Sequence, residues 1–468
     1  MNHADTSVVS DGRHPASFRD RSGFVFHRQG RLYRQVNESY RSHFDQLLSS
    51  GLYAELTAAG LLVEHREVME PPAGPQAYKI IAPRSIPVVS YPYEWCFSQL
   101  KDAALLTLDL QRRALRHGMM LKDASAYNVL FEDAAPVFID TLSFETYAAG
   151  QPWVAYRQFC QHFLAPLALM SQCDIRLGQW SRLYLDGVPL DLAARLLPRR
   201  TFWRPGLLLH LHLHARQQRR HAADRATRRR AAHISRAGLQ GIVENLTGTI
   251  QHLHWRPGGT EWADYYESNN NYTDQAAQSK SAFVAECLTR INPATVLDLG
   301  ANTGRFSRIA RDHGAQVLSL DVDPSATERL YLNLRAEQSK GILPLNVDLT
   351  NPAGGLGWDH QERRPLLERI GAELVMALAL VHHLALTNHV PLEKLAATFA
   401  RLGPALVVEF VPAADSQAQL LLAGRAEKFP DYTEEHFVAA FARHYDLLAT
   451  RPIADSLRTL HLMRRKSP

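Results

Sequence analysis

Strand-length apolar runs alternate regularly with helical segments in the C-terminal part of the chain, and this alternation constrains the fold more than any other feature. The runs are Thr295–Leu299, Gln316–Leu320, Leu343–Val347, Glu373–Ala377 and Ala405–Phe410. Consecutive parallel strands need a crossover between them, and a helix is the usual crossover. The pattern therefore predicts an α/β domain with a doubly wound, Rossmann-like sheet covered by helices on both faces.

The length of 468 residues is too great for one ordinary core, so two or three domains are expected. Residues 1–22 are polar and have no apolar stretch of signal-peptide length, which predicts a disordered leader. Residues 23–215 mix strand-like runs with helical patterns and predict an α+β domain. Residues 216–258 predict a basic helical linker that a Pro-Gly-Gly run ends, and residues 259–468 predict the doubly wound domain.

Composition places the chain among soluble globular proteins, with 46% hydrophobic and 21% charged residues. No apolar run approaches the ~18 residues that a membrane-spanning helix needs. The four cysteines lie far apart and form no CxxC pair, which argues against a disulfide framework and against a zinc site. These features predict a cytoplasmic protein without a transmembrane segment.

The positive charge of the chain is concentrated in one segment. Twelve arginines and a single acid, Asp224, lie between Arg195 and Arg236, so this segment carries +11 while the whole chain carries +5. A solvated helical linker explains the charge, and a contact with nucleic acid or another anionic surface is the alternative. No aromatic residue interleaves the arginines from 216 to 230, as a stacking platform for single strands would require.

The first apolar run of the alternating series leads into a glycine-rich turn, Val296-Leu-Asp-Leu-Gly-Ala-Asn-Thr-Gly304. Glycines let the backbone turn sharply and approach a ligand closely, and this turn falls at the carboxyl end of a predicted strand, where doubly wound sheets bind ligands. A dinucleotide site would prefer GxGxxG. The acid before the first glycine, Asp298, instead suits a cationic ligand that carries an amino group and a sulfonium.

This turn resembles motif I of the class I S-adenosylmethionine-dependent methyltransferases, and the segments that follow it keep the order of that family. The resemblance covers about residues 260–468. It implies that S-adenosylmethionine is the cofactor and that Asp321 binds the ribose hydroxyls, with Asp323 as a weaker candidate. It also implies that Asp348 contacts the adenine amino group while Val347 and Leu349 pack on the ring. The implied cofactor-binding residues are Asp298, Gly300, Asn302, Gly304, Asp321, Asp348 and Val347.

The end of the fourth run, Leu378-Ala-Leu-Val-His-His, bears on the methyl acceptor. His382 and His383 are candidate bases if the acceptor must lose a proton, although one of two adjacent histidines is usually only hydrogen-bonded. Amino-group methylases of this family tend to have (Asn/Asp)-Pro-Pro-(Phe/Tyr) here. Its absence disfavours adenine or glutamine and favours a hydroxyl of a small-molecule, glycan or lipid-like acceptor.

Two further features are candidates for the acceptor pocket. Glu409 stands at the end of the fifth run, where it would contact the acceptor or pair with Arg425 or Lys428, and the pairing is slightly favoured. Aromatic side chains before the first run would form a lid over the donor or dock the linker on the domain. They are Trp262, Tyr265, Tyr266 and Tyr272.

The N-terminal half carries an Asp-x4-Asn…Asp pattern formed by Asp123, Asn128 and Asp140. This pattern resembles the catalytic segment of protein kinases and aminoglycoside phosphotransferases. The resemblance implies a kinase-like domain in which Asp123 is the catalytic proton acceptor, while Asn128 and Asp140 bind magnesium and ATP. Upstream, the apolar runs Phe24–Phe26, Leu32–Val36, Tyr78–Ile81 and Val88–Tyr91 are predicted strands, the last of which resembles the strand before the kinase hinge.

Several kinase features are missing. No GxGxxG loop precedes residue 60, and Leu121-Lys122 stands where kinases have His-Arg. The nucleotide-binding lysine is not evident, since Arg34 and Lys79 are imperfect substitutes. An active phosphotransferase, a nucleotide-binding pseudokinase and a structural relic therefore all stay open for this half.

As a whole, the chain resembles bacterial proteins that fuse a kinase-like half to a class I methyltransferase, including methyltransferases of the nodulation type. The first functional hypothesis is a methyltransferase acting on a small-molecule, glycan or lipid-like acceptor. The second is a bifunctional enzyme that also transfers phosphate. The third is a nucleic-acid-associated methyltransferase held by the arginine-rich segment.

Overall fold

The computed structural model describes residues 11–216, 233–258, 273–423 and 429–467. The chain divides into two compact units. The N-terminal unit runs to Arg256 and also includes residues 353–364, while the C-terminal unit contains residues 257–352 and 365–468. Residue 353 onwards therefore returns to the N-terminal unit before the chain re-enters the C-terminal one.

The described part of the N-terminal unit contains a five-stranded antiparallel sheet with the order β1-β2-β3-β5-β4. Gln29 and Gly30, with φ of 50° and 71°, make the tight turn between β2 and β3, as expected for a two-residue hairpin. The strands are β1 (Gly12–Arg13), β2 (Gly23–Arg28), β3 (Arg31–Asn37), β4 (His65–Glu67) and β5 (Ala77–Pro83).

Three of the four predicted N-terminal strands correspond to β2, β3 and β5. Val88–Tyr91, the fourth, forms no strand. Pro87 and Pro92 flank it, and proline supplies no N–H to a strand ladder. The prediction of a strand there was wrong for this reason.

A long helix, α3 (Phe97–Arg116), organises the remainder of the N-terminal unit. One face is buried through Leu100, Ala104, Leu108 and Leu115, which recur at a spacing that places them on one side of a helix. Two short antiparallel strand pairs follow. β6 (Met119–Leu121) pairs with β9 (Phe144–Thr146), and β7 (Val129–Glu132) and β8 (Ala135–Phe138), which lie between them in the chain, form a hairpin. The other helices of this unit are α1 (Arg41–Ser49), α2 (Leu52–Ala58), α4 (Tyr156–Phe159), α5 (Ala165–Gln172), α6 (Trp180–Leu183), α7 (Leu190–Leu196), α8 (Pro205–Leu207) and α9 (Arg236–Gln251).

The structure differs from the sequence-based boundaries at both ends of this unit. Residues 12 to 22 of the predicted leader are ordered, because β1 pairs with β2 and the Ser17 hydroxyl accepts the Val25 N–H at 2.8 Å. Within the predicted linker, α9 packs on α3, and Lys101 donates to the carbonyl oxygens of Gln251 and Leu253 at 2.9 Å each. The part of the arginine-rich segment from 217 to 232 lies outside the described residues.

Residues 353–364, called here the returning hairpin, belong to the N-terminal unit although sequence analysis assigned them to the C-terminal domain. Leu356 and Arg363 exchange backbone hydrogen bonds of 3.0 and 3.1 Å. The Glu362 carboxylate, only 3% exposed, accepts the Arg19 Nη2 hydrogen at 2.8 Å. Arg363 stacks its guanidinium 3.9 Å from the centre of the Tyr127 ring. The hairpin thus has its own polar and stacking anchors within this unit.

The described part of the C-terminal unit contains a seven-stranded sheet with the order β12-β11-β10-β13-β14-β16-β15. The first five strands in this order are parallel, and β16 is antiparallel to both of its neighbours. This confirms the predicted parallel sheet. The strands are β10 (Thr295–Leu299), β11 (Gln316–Asp321), β12 (Ile342–Asn346), β13 (Leu374–Ala377), β14 (Ala405–Phe410), β15 (Tyr445–Pro452) and β16 (Thr459–Arg465).

The strand order reverses between β10 and β13, which leaves a crevice at their carboxyl ends. Side-chain caps start several of the helices: Thr273, Asp323 and Asp415 each accept a backbone N–H of the first turn. The helices are α10 (Asp274–Ile291), α11 (Arg305–Asp312), α12 (Pro324–Ala336), α13 (Leu366–Arg369), α14 (Leu392–Leu402), α15 (Ser416–Leu422) and α16 (Glu434–Ala442). Across the described ranges, no helix has the length and apolarity needed to cross a membrane.

The anchor of the returning hairpin gives the first testable prediction. Arg19→Met removes the partner of the Glu362 carboxylate, and we expect a loss of about 1–3 kcal/mol in unfolding free energy because a buried acceptor loses a charged donor. Urea denaturation of the full chain measures it. Asp186→Asn is the matched control, since that exposed carboxylate lies 3.9 Å from Arg19. Equal midpoints for Arg19→Met and the unaltered chain would contradict the anchor.

Candidate functional site

The glycine turn after β10 lies at the carboxyl edge of the C-terminal sheet. Gly300, Asn302 and Gly304 all have positive φ, of 73°, 51° and 80°. The N–H groups of Gly300 and Ala301 donate to the carbonyl oxygen of Leu320 at 2.9 and 3.0 Å. These bonds fix the turn against the end of β11, so that the two strand ends form one surface.

Both glycines of the turn have positive φ, which favours glycine over other residues. A Cβ at Gly304 would also lie 2.6 Å from the Leu330 side chain of α12, so this glycine permits close packing as well. At Gly300 a Cβ would meet Leu380 at 3.4 Å, which is close to ordinary contact, so backbone conformation rather than crowding favours glycine there. The role of both glycines at the cofactor stays a prediction.

Asp321 ends β11 and faces the glycine turn. Its two oxygens accept the backbone N–H groups of Asp323 and Asn302 at 2.8 and 2.7 Å. A carboxylate has about four acceptor positions, so each oxygen keeps capacity for a further donor. Loss of solvation in the fold raises the pKa of Asp321 to about 6. The structure thus fixes this carboxylate by its backbone contacts and leaves it able to accept hydroxyl groups.

Asp298 lies within β10 and is 2% exposed. Its Oδ2 accepts the Ser307 hydroxyl at 2.6 Å, and Ser307 in turn accepts the Ser319 hydroxyl at 2.8 Å. Burial raises the pKa of Asp298 to about 6, and the nearby charge of Asp321 acts in the same direction. The two acids that sequence analysis singled out are therefore electrostatic neighbours.

The end of β12 comes next to the same edge. The Val347 N–H donates to the carbonyl oxygen of Asp321 at 2.8 Å, and the Val347 side chain is 7% exposed. Asp348 is exposed, and its Oδ1 accepts the N–H and the hydroxyl of Thr350 at 2.8 and 2.6 Å. A role for Asp348 at an adenine ring stays a prediction.

His382 and His383 follow β13, and their ring centres are 4.0 Å apart. Burial lowers the pKa of His383 to about 4 and moves the pKa of His382 well below its ordinary value. Both rings are therefore neutral at neutral pH. Within the described residues, the Nδ1 atom of the buried His382 has no hydrogen-bond partner. The histidines are thus acceptors of low basicity, and a base role stays a prediction.

Glu409, near the end of β14, belongs to a buried network of four charged side chains. Lys280 Nζ lies 2.6 Å from one Glu409 oxygen, and Arg458 Nη1 lies 3.4 Å from the other. Arg458 also donates to both oxygens of Asp415 at 2.8 and 3.0 Å. All four side chains are at most 4% exposed. Two cations thus balance two carboxylates inside the unit.

Arg425 and Lys428, the predicted partners of Glu409, lie outside the described residues, so that pairing stays a prediction. Among the described residues, Lys280 of α10 and Arg458 before β16 hold the carboxylate. No local pattern marks Arg458, because it is 49 residues from Glu409 and meets it only through strand pairing. The predicted lid residues Trp262, Tyr265, Tyr266 and Tyr272 also lie outside the described residues.

In the N-terminal unit, the structure brings Asp123, Asn128 and Asp140 together. Asn128 Nδ2 donates to the Ser143 hydroxyl at 3.2 Å, and that hydroxyl donates to Asp140 Oδ2 at 2.7 Å. Burial raises the pKa of Asp123, the charge of Asp140 adds to this, and a hydrogen bond from Asn128 opposes it. The three residues of the sequence pattern thus form one polar cluster.

Arg34, rather than Lys79, reaches this cluster. Arg34 Nη1 lies 2.5 Å from Asp140 Oδ1, whereas Lys79 pairs with the exposed Glu67 at 2.7 Å. Burial opposes ionisation of Asp140, but the Arg34 charge and two hydrogen bonds prevail and hold its pKa below the ordinary value. Lys122 Nζ donates to the Ser22 hydroxyl at 2.6 Å. Arg34 and Lys122 therefore place two cations beside this polar cluster, and Arg34 is paired with Asp140.

The described ranges contain no group of three or more His, Cys, Asp or Glu side chains arranged to hold a metal ion. His210 and His212, which alternate in the sequence, are engaged by other side chains. His210 bonds to Tyr156 and Asn245 at 2.7 and 2.8 Å, and His212 bonds to Thr201 at 2.8 Å. Their hydrogen bonds are structural.

The C-terminal sheet and its glycine turn define a Rossmann-like α/β unit. Asp298 lies within its strand β10, and Asp321 ends the neighbouring strand β11. The chain belongs to the family of the nodulation protein NoeA of Rhizobium meliloti (strain 1021). The two are 35% identical over 475 residues, which cover 99% of each chain. No family model matches the chain.

Two solved structures that are similar to part of the chain are methyltransferases. The N-methyltransferase NodS from Bradyrhizobium japonicum WM9 is 12% identical, with a TM-score of 0.31, and the match covers 42% of this chain and 98% of that one. The magnesium protoporphyrin IX methyltransferase from Synechocystis PCC 6803 with bound SAH is 15% identical, with a TM-score of 0.31 and coverage of 44% and 98%.

The buried network yields a stability prediction. Arg458→Met leaves the Asp415 and Glu409 carboxylates without their shared cation, and we expect a loss of about 3–5 kcal/mol in unfolding free energy. Denaturant titration of the full chain measures it. Arg464→Met on β16, the strand that Arg458 precedes, is the control, because Arg464 is exposed. A loss under ~1 kcal/mol, the range of exposed ion pairs, would show that the network is not desolvated as described.

Proposed function

We propose that the C-terminal unit binds S-adenosylmethionine at the glycine turn and transfers its methyl group to a small-molecule acceptor. The observation that carries this proposal is the Asp321 carboxylate, fixed by the Asn302 and Asp323 N–H groups with acceptor capacity to spare. Two vicinal hydroxyl groups of a ribose are suitable donors for a carboxylate held in this way.

The residues around the turn fit this cofactor. Asp298 supplies a buried negative charge near the turn, which favours a cationic ligand. Val347, almost fully buried beside Asp321, offers an apolar side chain to a ring. When bound, the cofactor supplies a methyl carbon activated by a sulfonium, so the protein needs mainly to position the acceptor and exclude water.

The proposed acceptor is a hydroxyl of a small-molecule, glycan or lipid-like compound. The balanced charges of Lys280, Glu409, Arg458 and Asp415 favour an acceptor without net charge. Neutral histidines at the end of β13 can accept a hydrogen bond from such a hydroxyl. Since a relative with 35% identity over its whole length is described as a nodulation protein, we propose a role in the same process.

The donor site is tested by calorimetry on the full chain. Asp321→Asn preserves the shape of the side chain but removes its charge and one acceptor oxygen. We expect S-adenosylmethionine affinity to fall by about 10- to 100-fold, since hydrogen bonds to charged groups contribute about 1.5–3 kcal/mol. Asp312→Asn, on the exposed end of α11, is the control. Unchanged affinity in Asp321→Asn would refute the assignment of the donor site.

The raised pKa values of Asp298 and Asp321 predict a pH dependence of donor binding. Both pKa values are about 6 in the free protein, and a cationic ligand favours the ionised carboxylates. Binding must therefore release protons below pH 6, so affinity should be constant above about pH 7. It should fall below pH 6 by up to about tenfold per pH unit for each carboxyl.

Calorimetry between pH 5 and 8 measures this dependence. In Asp298→Asn the slope below pH 6 should be smaller, because one titrating group is gone. A flat profile between pH 5 and 8 in the unaltered chain would contradict the proposal that the two carboxylates bind the donor in their ionised form.

We propose a kinase-like fold for the N-terminal unit as a second functional candidate. The supporting observation is the order of its elements: an antiparallel sheet, the long helix α3, and then a loop and hairpins that carry Asp123, Asn128 and Asp140. A magnesium ion shared by Asn128 and Asp140, as the resemblance implies for ATP, does not fit this arrangement. Arg34, Ser143 and a backbone N–H already engage both Asp140 oxygens. A nucleic-acid role for the arginine-rich segment stays a prediction.

A further inference from the structure

We propose that Arg34 and Lys122 of the N-terminal unit bind a phosphate-bearing ligand directly, without a magnesium ion, and that Asp20 occupies the phosphate position in the absence of this ligand. The inference rests on the kinase-like fold proposed for this unit. It assigns the two cations a ligand chemistry and a competing carboxylate.

The two cations are presented from different elements and are largely enclosed. Arg34 lies in β3 and is 13% exposed, while Lys122 follows β6 and is 24% exposed. Lys122 Nζ also lies 4.9 Å from the centre of the Tyr40 ring, which holds the ammonium in place. Enclosed cations that converge from separate elements are suited to an anion with several oxygens.

Arg34 retains donor capacity after pairing with Asp140. A guanidinium has five N–H donors in a planar fork. The Nε atom of Arg34 is buried and has no hydrogen-bond partner among the described residues. Buried donors of this kind are normally satisfied, so this one has capacity for a further acceptor. A phosphate oxygen is a partner of the right charge.

Asp20 is the competitor because it lies between the two cations without a close bond to either, while its Oδ1 atom accepts the Ser22 N–H at 2.8 Å. Its carboxylate lies 3.5 Å from Lys122 Nζ and 3.9 Å from Arg34 Nη2, and its side chain is 35% exposed. Charge-assisted hydrogen bonds are shorter, at about 2.7–2.9 Å, so neither contact is a formed hydrogen bond. A phosphate has three oxygens and more charge than a carboxylate, and it can bond to both cations at once.

Magnesium is unnecessary in this arrangement. In the kinase mechanism the metal neutralises phosphate charge and is held by the acid that corresponds to Asp140. Here Arg34 already pairs with Asp140 at 2.5 Å, and a guanidinium does not deprotonate at any ordinary pH. A divalent ion would have to displace it. Arg34 and Lys122 therefore supply side-chain cations where a kinase uses a metal.

The loop that carries Asp20 is also held by the returning hairpin. It joins β1 to β2, and the neighbouring residue Arg19 bonds to the buried Glu362 of the returning hairpin. A ligand that displaces Asp20 must shift this loop against that anchor. Loosening the anchor should therefore make displacement easier.

The experiment uses the full chain with inorganic pyrophosphate, inorganic phosphate and ATP as probes, each by calorimetry in EDTA and again in magnesium. We expect the unaltered chain to bind pyrophosphate or ATP in EDTA. Asp20→Asn should bind about five- to tenfold more tightly, because it removes the competing charge without changing shape. Arg19→Met should show a smaller gain. Asp186→Asn, an exposed acid near the same loop, should match the unaltered chain.

Arg34→Met and Lys122→Met should each weaken binding at least about tenfold. Because the first leaves Asp140 unpaired and could impair folding, the gain in Asp20→Asn is the decisive result. Binding of phosphate or pyrophosphate as well as ATP identifies the phosphate group as the ligand, whereas binding of ATP alone means that the nucleoside is also required.

Two results would overturn the proposal, and they differ in what they imply for the fold assignment. Binding that requires magnesium and is lost in Asp140→Asn would refute the metal-free site while supporting a kinase-like unit. No binding of any probe, in either buffer and in every variant, would reject the phosphate site and would leave the kinase-like unit as a structural relic. Neither result bears on the S-adenosylmethionine site, which is tested separately by Asp321→Asn.

Discussion

In a parallel sheet, the loops that follow the strands all begin at the same edge of the sheet. The candidate site of the C-terminal unit depends on this constraint. Because β10, β11 and β12 are parallel, their carboxyl ends lie side by side. This arrangement brings together Asp298, the glycine turn, Asp321 and Val347, which are far apart in the sequence. The backbone N–H of Asn302 then connects the first loop to the second strand through Asp321. A carboxylate that would be solvated on an isolated strand becomes a fixed acceptor with a raised pKa.

Buried charge has opposite uses in the two units. Around Glu409, cations and carboxylates satisfy one another, and the cost of removing them from water is offset only while the set is complete. Around Arg34 and Lys122 the pairing is uneven: Asp140 is bonded closely to Arg34, whereas Asp20 lies too far from both cations for direct hydrogen bonds to them. A complete network favours a rigid interior. Where the cations lack close partners, an anionic ligand can form stronger interactions with them than the protein's own carboxylate does.

Sequence reasoning succeeded where one local pattern determines structure. The glycine turn, the parallel strands and the face of α3 each follow from spacing within a few residues. It missed β15 and β16, because β15 is largely exposed at the sheet edge and has no continuous apolar run. It also missed Arg458 and the returning hairpin, whose contacts join residues far apart in the chain. The contact of Glu409 with Arg458 could not be predicted from nearby sequence, since only strand pairing brings Arg458 to it.

The returning hairpin also has a consequence for biosynthesis. The N-terminal unit has its sheet and helices by Arg256, yet its last segment is roughly a hundred residues further along. At translation rates of about 5–20 residues per second, roughly 5–20 s separate the two on the ribosome. During that interval the Tyr127 ring and Arg19 lack the partners that the hairpin provides. The nascent chain therefore completes its first unit only after a large part of its second has been made, and a gene split between the units would leave the first without its final segment.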